Sequence, residues 1–166
     1  MKKVYLMRHA KSSWKEPYPD HNRPLNKRGK RAAKAVGKAL KKRGVDFDRI
    51  LCSSAKRAVS TARRLLKAMK SDKAHLCLDP RLYTDDAGQI IERIRALDDE
   101  TASVLIIGHN PALSDCAVLL SGADRFAWLP TGALVGLAFD TDTWNDLDAE
   151  KGEVILTLFP RELEEE

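Results

Sequence analysis

Aromatic side chains make up only 6% of this 166-residue chain, and no apolar stretch approaches the roughly 18–20 residues that a membrane-spanning helix needs. So few aromatic rings argue against a stacking platform for nucleic-acid bases. The apolar run that begins at Val4 is interrupted at once by Arg8 and His9, so we expect neither a signal peptide nor a membrane anchor. The sequence therefore predicts a cytoplasmic protein without a membrane partner and disfavours a nucleic-acid partner.

Cysteine is also rare in the chain. Cys52, Cys77 and Cys116 are odd in number and far apart, and each lies in apolar surroundings. Such a set is typical of free thiols in a reducing compartment, rather than of a disulfide framework or a metal cluster. We therefore expect free thiols and no structural zinc.

The bulk composition, 43% apolar and 32% charged, suits one domain with its own core. No internal repeat or linker divides the chain, so we predict a single domain over residues 1–160. Residues 161–166 are mostly glutamate and are expected to form an acidic C-terminal tail.

Acidic residues are scarce in the first part of the chain, where residues 1–75 hold 23 Lys and Arg against 5 Asp and Glu. The remainder holds 6 against 19. Nine of the seventeen residues from 27 to 43 are basic. This segment is either a solvated helix face or the source of a field that draws an anionic partner toward nearby chemistry.

Strand and helix signals alternate along the chain. Four short apolar runs, with helical spacing between them, predict strands at residues 4–7, 49–52, 75–78 and 103–107. Asn26 and Ser54 are expected to cap the first two helices. Two further strands, near 133–139 and 153–159, have no helix between them and predict an antiparallel pair. We therefore predict a three-layer α/β/α fold, with a mostly parallel sheet of about six strands and an antiparallel edge strand.

Residues that can carry chemistry follow three of the predicted strands. They are Arg8 and His9 after the first strand, Ser53, Ser54 and Arg57 after the second, and His109 and Asn110 after the fourth. The carboxyl ends of parallel strands meet at one edge of a sheet, where ligands bind. Guanidinium groups match phosphate oxygens, and a neutral imidazole can accept a phosphoryl group. These residues therefore outline a phosphate site.

Each of these residues also has a purely structural interpretation. A histidine at a strand end is commonly a hydrogen-bonded polar residue, the arginines could form surface ion pairs, and the serines could belong to a loop and a helix cap. Their common placement just beyond strand ends favours a functional site. His21 and His75 lack this placement and are interpreted as incidental.

The same residues resemble the histidine phosphatase superfamily, which has the phosphoglycerate-mutase-like fold. The resemblance lies in Arg-His-Ala at 8–10, Ser-Ser-Ala-Lys-Arg-Ala at 53–58 and Gly-His-Asn at 108–110. Further segments resemble the short SixA-type phosphohistidine phosphatases, namely LMRHAKSSW at 6–14, NRPLNKRGKRAA at 22–33, GHNP at 108–111 and LPTGAL at 129–134. Together they span the chain from residue 4 to about residue 159.

The resemblance implies that His9 attacks phosphorus, while Arg8, Arg57 and His109 hold the phosphoryl oxygens. Water would then release inorganic phosphate, and no metal or organic cofactor would be needed. The residues expected to contact the substrate are Ser12, Ser13, Arg23, Ser53, Asn110 and Tyr83. For Arg23, a structural role as a loop arginine beside a proline remains an open alternative.

One departure from the family bears on the substrate. Phosphomonoesterases and mutases of the family tend to place a glutamate general acid directly after an Arg-Leu pair, and Tyr83 stands there instead. An alkoxide leaving a sugar phosphate needs a proton, whereas imidazole leaving phosphohistidine, or carboxylate leaving an acyl phosphate, needs little help. The missing acid therefore favours high-energy phosphoryl donors. Asp85 or Asp86 could supply the acid, although Asp86 could equally cap the third helix.

The sequence thus predicts a metal-independent phosphatase that acts through phospho-His9 on phosphohistidine in a partner protein. One open alternative is a phosphatase for small molecules such as sugar phosphates or nucleotides. Another is a module that binds polyanions without turnover.

Overall fold

A computed structural model describes residues 1–71 and 75–163 of the chain. Within this part, no helix is long and apolar enough to cross a membrane. The elements, in chain order, are β1 (Lys2–Arg8), α1 (Lys27–Lys42), β2 (Arg49–Ser53), α2 (Lys56–Met69), β3 (Leu76–Asp79), α3 (Ala87–Arg95), β4 (Ser103–Gly108), α4 (Ala112–Ser121), β5 (Leu134–Phe139), β6 (Glu153–Leu158) and α5 (Pro160–Leu163).

The strands form one sheet in the order β3-β2-β4-β1-β5-β6. The first four strands in this order are parallel to one another, whereas β5 is antiparallel to both β1 and β6. The predicted fold class is therefore confirmed. In one detail the sheet differs from the prediction, because the antiparallel strand is β5 and lies one place in from the edge. The edge strand β6 runs in the direction of β1, since two successive antiparallel pairings restore the direction.

β1 shows why this sheet needs helices on both faces. Val4 and Leu6 belong to the core under α3 and α4, while Tyr5 and Met7 belong to the core under α1 and α2. Successive side chains of a strand point to opposite faces, so a strand covered on both faces is apolar without interruption. All four side chains are at most 4% exposed. Burial of each contributes about 1.5–3 kcal/mol to the free energy of unfolding.

α1 begins at the predicted cap and packs tightly on α2. The side-chain oxygen of Asn26 accepts the Gly29 N–H at 2.8 Å. Further along, Gly37 lies at the helix crossing, where a β-carbon would be 2.6 Å from the carbonyl oxygen of Leu65. The missing side chain lets the two backbones approach closely. This contact fixes α1 against α2, the helix that carries Arg57.

The predicted cap of α2 is wrong by one residue. The N-cap position is Ala55, and the hydroxyl that accepts the Ala55 N–H, at 3.2 Å, belongs to Ser53. The Ser54 hydroxyl lies instead 2.9 Å from Nε2 of His21. At α3 the cap interpretation of Asp86 is confirmed, since its carboxylate accepts the Gly88 N–H at 2.8 Å.

The cysteines are free thiols, as predicted. Cys52 and Cys116 are buried and Cys77 is half-buried. Burial raises the pKa of Cys116 to about 12, which keeps this thiol protonated.

The C-terminal segment begins as a short helix. α5 contains Pro160 to Leu163 and lies against α1. The first three residues of the predicted acidic tail therefore belong to α5, and residues 164–166 lie outside the described residues.

Candidate active site

The three strands followed by chemistry-bearing residues are neighbours in the sheet, in the order β2-β4-β1. Their carboxyl ends bring Ser53, His109 and His9 to one edge, and all three side chains are buried. The ring centroids of His9 and His109 are 5.1 Å apart, and Nε2 of His109 lies 2.7 Å from the Ser53 hydroxyl. The sequence alone left open whether these three strands are neighbours, and the structure places them side by side.

His9 is held in a single tautomer. Its Nδ1 lies 2.7 Å from the carbonyl oxygen of Ala10, which can only accept a hydrogen bond, so Nδ1 carries the proton. Nε2 is then unprotonated, and it accepts a hydrogen bond from Nε of Arg57 at 3.3 Å. Burial, together with the guanidinium groups of Arg57 and Arg8, lowers the pKa of His9 to about 4 against the opposing effect of the Ala10 carbonyl. The ring is therefore neutral near pH 7, with a lone pair on Nε2.

Two buried guanidinium groups meet on one carboxylate. Nη2 of Arg57 donates to Asp20 at 3.0 Å, and Nη2 of Arg23 donates to the other carboxylate oxygen at 3.2 Å. Arg57 also donates through Nη1 to the backbone carbonyl of Asp20 at 2.7 Å. Arg23 donates through Nη1 to the hydroxyl of Ser12. The predicted substrate-contact residues Arg23 and Ser12 thus lie in the same hydrogen-bond network as Arg57.

Arg8 is held by the loop that precedes β5. Its Nη1 donates to the carbonyl of Leu129 at 3.0 Å, and its guanidinium carbon lies 5.5 Å from the ring centroid of Trp128. Asn110 donates to the same Leu129 carbonyl at 2.9 Å. Burial, and the nearby charge of Arg57, lower the pKa of Arg8. One loop therefore positions two of the predicted residues.

Asp20 is the main residue that the sequence analysis missed. Its carboxylate accepts hydrogen bonds from Arg57, Arg23 and the hydroxyl of Tyr83. The Tyr83 hydroxyl and the two guanidinium groups hold the pKa of Asp20 well below its usual range. One feature of the sequence could have indicated Asp20, because it is one of only five acidic residues in the basic stretch 1–75.

Thr61 was also missed. Its hydroxyl accepts the Ala10 N–H at 3.0 Å and donates to the Arg57 carbonyl at 2.8 Å. It therefore ties the loop after β1 to α2. Nothing in the sequence distinguishes this threonine from the rest of its helix.

Aromatic rings lie at the rim, although the chain has few of them. The Tyr83 ring makes edge contacts with His109, at 5.3 Å between centroids, and with His21, at 5.0 Å. His21, which the sequence placed outside the site, therefore lies at the rim beside Tyr83. Trp14 is 78% exposed, and its ring centroid lies 3.8 Å from the guanidinium carbon of Arg23. Its carbon ring shields that cation from water on one side.

A cleft of about 490 Å³ opens over this group of residues. It is lined by Asp20, Arg57, Tyr83, Thr84, Asp85, His109 and Asn110. Asp85 is exposed on the wall, whereas Asp86 is occupied as a helix cap. The Ser13 hydroxyl accepts the Lys15 N–H at 3.2 Å within its own loop. The side chains of Asp86 and Ser13 are thus engaged by the backbone of their own segments.

The chemistry of this arrangement suits a phosphoryl group. Burial lowers the pKa of His109 to about 3, helped by the neighbouring His9 and Arg57, so both histidines are neutral near pH 7. The three guanidinium groups of Arg8, Arg23 and Arg57 outnumber the carboxylates of Asp20 and Asp85, which leaves net positive charge for a phosphate dianion. Among the described residues, Nε of Arg8, Nε of Arg23 and Nδ1 of His109 are buried without a hydrogen-bond partner. Phosphate oxygens accept hydrogen bonds from such nitrogens. In the same part of the chain, no three His, Cys, Asp or Glu residues gather as a metal site would require.

Comparison with known proteins gives consistent results. The family model of the histidine phosphatase superfamily (branch 1) matches residues 4–90. An uncharacterised protein of Mycobacterium leprae is 32% identical over 93% of this chain and 100% of its own length. A solved structure from Nakamurella multipartitia, named as a candidate phosphohistidine phosphatase SixA, superposes with a TM-score of 0.82 at 27% identity and covers 96% of each chain. A protein histidine phosphatase SixA in complex with tungstate superposes with a TM-score of 0.83 over 97% of this chain and 99% of its own, and its 24% identity shows the fold alone.

Proposed function

The chain belongs to the histidine phosphatase superfamily, and from this premise we propose that it removes the phosphoryl group from phosphohistidine in a partner protein through a covalent intermediate on His9. The observation that carries the proposal is the state of the His9 ring. Nδ1 is protonated against the Ala10 carbonyl, and Nε2 is an unprotonated nitrogen beside Arg57. A neutral imidazole nitrogen amid guanidinium groups is a nucleophile for phosphorus.

In the first step, the Nε–H of Arg57 moves from Nε2 of His9 to a phosphoryl oxygen. The freed lone pair on Nε2 attacks phosphorus, and the bond between phosphorus and the nitrogen of the donor breaks. A donor imidazole that is protonated on its other nitrogen leaves as neutral imidazole, so the enzyme supplies no proton. Arg8, Arg57 and His109 hold the phosphoryl oxygens and stabilise the negative charge on those oxygens in the transition state. The cations must already be oriented, and the hydrogen bonds of Arg8 and Arg57 supply that orientation.

In the second step, water attacks the phosphorus of phospho-His9, its proton passes to the departing phosphate, and the bond to Nε2 breaks. Because Nδ1 keeps its proton against the Ala10 carbonyl, the phosphorylated ring carries a positive charge. The ring therefore leaves as neutral imidazole, and inorganic phosphate is released. One backbone carbonyl thus supports both halves of the reaction, since it keeps Nε2 unprotonated for the attack and keeps the phosphorylated ring a good leaving group.

The residue at position 83 supports phosphohistidine as the donor. Tyr83 donates its hydroxyl to Asp20, and this hydrogen bond raises the pKa of Tyr83. A phenol of high pKa bonded to a carboxylate is a poor proton donor for an alkoxide. Imidazole leaving from phosphohistidine needs no such donor.

Phosphate release from three donors tests the proposal. The donors are free phosphohistidine, an aryl phosphate and a sugar phosphate. We expect phosphohistidine and the aryl phosphate to be hydrolysed and the sugar phosphate to react at least about a hundredfold more slowly, because it alone needs a general acid. His9→Ala should abolish release, whereas His75→Ala, which removes an exposed histidine outside the network, should leave it intact. Full hydrolysis by His9→Ala overturns the intermediate, and comparable turnover of the sugar phosphate overturns the choice of donor.

One observation favours a small-molecule phosphomonoesterase as a second candidate. The exposed carboxyl of Asp85 lies on the wall of the 490 Å³ cleft, close to Tyr83 in the chain. If Asp85 supplies the proton, Asp85→Asn lowers sugar-phosphate hydrolysis and leaves phosphohistidine hydrolysis unchanged.

A further inference from the structure

A second, basic cleft lies beside the candidate active site. It has a volume of about 290 Å³ and combines three cationic side chains with apolar walls. It is lined by Lys11, Arg28, Ala32, Pro130, Thr131, Phe159, Pro160 and Arg161. None of these residues belongs to the phosphate-holding network of Arg57, Arg23 and Asp20.

The cleft opens at the same edge of the sheet as the active site. Lys11 follows β1 two residues after His9, and Arg161 follows β6, whose carboxyl end lies at the same edge as that of β1. Thr131 belongs to the loop before β5, where the Gly132 N–H donates to the His9 carbonyl at 3.0 Å. The active site lies over β2, β4 and β1, and this cleft lies over the β5 and β6 side. A substrate longer than one side chain could therefore span both.

The first turn of α1 brings Arg28 to the same place. At the adjacent Gly29, a β-carbon would lie 2.0 Å from the carbonyl oxygen of Lys11, so helix and loop are in direct contact. The Asn26 N–H also donates to that carbonyl at 3.0 Å. The strongly basic segment at residues 27–43 thus begins next to the active site.

The three cations are available for a ligand. Lys11, Arg28 and Arg161 are exposed, and no carboxylate of the described residues forms a salt bridge with any of them. The cations of the active site differ in this respect, since Arg57 and Arg23 are buried and paired with Asp20. Exposed, flexible cations on three separate elements suit several carboxylates along an extended chain better than one compact anion.

We propose that this cleft binds acidic residues that flank the phosphohistidine of a protein substrate. The inference rests on the proposed function, because it places the phosphohistidine of that substrate over His9. The apolar walls favour a peptide, since Pro130, Phe159 and Pro160 can pack against its aliphatic groups. Phe159 is the one aromatic residue of the lining, so consecutive bases of a nucleic acid find no stacking platform there.

Two matched phosphohistidine peptides test the proposal, one with glutamates on both sides of the histidine and one with glutamines. The first variant is a triple variant that carries Lys11→Gln, Arg28→Gln and Arg161→Gln together. In it, we expect KM for the glutamate peptide to rise roughly tenfold at low salt, with kcat unchanged. KM for the glutamine peptide and for free phosphohistidine should stay within about twofold. The control variant Lys34→Gln, Lys38→Gln, Lys42→Gln removes three exposed charges further along α1. An equal rise in KM in this control, or no rise in the first variant, overturns the proposal that the cleft binds acidic flanking residues.

A binding measurement separates this inference from the proposed function. Fluorescence anisotropy of the unphosphorylated glutamate peptide requires no turnover, and we expect the first variant to lose most of the binding that the control variant retains. If no donor releases phosphate but the peptide still binds in this pattern, the proposed function fails and the cleft stands as an acidic-peptide site. If the wild-type chain binds the glutamate and glutamine peptides equally, or if single-stranded oligonucleotide binds and the peptide does not, the cleft proposal is wrong.

Discussion

Arg57 holds Asp20 at two points while its third nitrogen faces His9. Nη1 donates to the Asp20 backbone carbonyl at 2.7 Å, Nη2 donates to the carboxylate at 3.0 Å, and Nε donates to Nε2 of His9 at 3.3 Å. A loop carboxylate thus orients the guanidinium group beside the proposed nucleophile. The same carboxylate is a negative charge that a bound phosphate dianion must approach.

Asp20→Asn is expected to tighten the binding of inorganic phosphate about fivefold, because the amide keeps a hydrogen-bond acceptor for Arg57 and removes the repulsive charge. Inhibition of aryl phosphate hydrolysis by phosphate measures this change. Asp85→Asn is the control, since it neutralises an exposed carboxylate on the wall of the same cleft. Weaker phosphate binding by Asp20→Asn would show that orientation of the cations by the carboxylate outweighs its repulsion.

The two active-site histidines are expected to stay neutral between about pH 5 and pH 8. Burial lowers the pKa of His9 to about 4 and that of His109 to about 3, so each ring takes up a proton only as the pH falls through those values. Nitrogen-15 NMR of the imidazole side chains measures both the charge and the tautomer. The spectrum should show His9 protonated on Nδ1, as the Ala10 carbonyl requires. A proton on Nε2, or a charged His9 at pH 6, contradicts the proposed nucleophile.

Tyr83→Glu is expected to increase sugar-phosphate hydrolysis at least about tenfold and to change phosphohistidine hydrolysis little, because it restores a carboxylic acid where the leaving alkoxide needs a proton. The nearby Asp20 carboxylate should raise the pKa of the new acid and keep it protonated more often. Tyr83→Phe, which removes only the hydroxyl, is the control. If the glutamate variant gains nothing, the identity of residue 83 does not govern the choice of donor.

Two glycines of α1 are expected to respond differently to alanine. A β-carbon at Gly29 would lie 2.0 Å from the Lys11 carbonyl oxygen, and one at Gly37 would lie 2.6 Å from the Leu65 carbonyl oxygen. Both substitutions should lower the free energy of unfolding by about 1–3 kcal/mol, as overpacking does. Only Gly29→Ala displaces the loop after His9, so only this variant should also lose kcat at a temperature where both remain folded. Equal kcat in the two variants would show that the loop tolerates the shift. Denaturant unfolding and initial rates give the two quantities.

Local patterns predicted much of the fold. The strand at β1 and the start of α1 at Asn26 follow from apolar runs and capping chemistry, because these features depend on residues close together in the chain. The predicted cap of α2 was wrong because two adjacent serines can compete for this position, and the Ser54 hydroxyl instead bonds with His21 in a distant loop. The prediction of an antiparallel strand at the very edge of the sheet was wrong for a similar reason, since strand order depends on packing between distant segments.

The candidate site divides in the same way. Arg8, His9 and His109 could be predicted because each stands just beyond a strand, in a motif that resembles a known family. Asp20 and Thr61 could not, because their importance comes from hydrogen bonds to Arg57 and Ala10, which lie far from them in the sequence.

Trapping the phosphorylated enzyme tests the central claim most directly. After brief reaction with phosphohistidine and quenching in alkali, we predict an acid-labile, alkali-stable phosphoryl group on Nε2 of His9, absent from His9→Ala and present in His75→Ala. Peptide mapping locates the residue, and comparison with phosphohistidine standards identifies the nitrogen. A phosphoryl group on any other residue, or on Nδ1 of His9, would contradict the account.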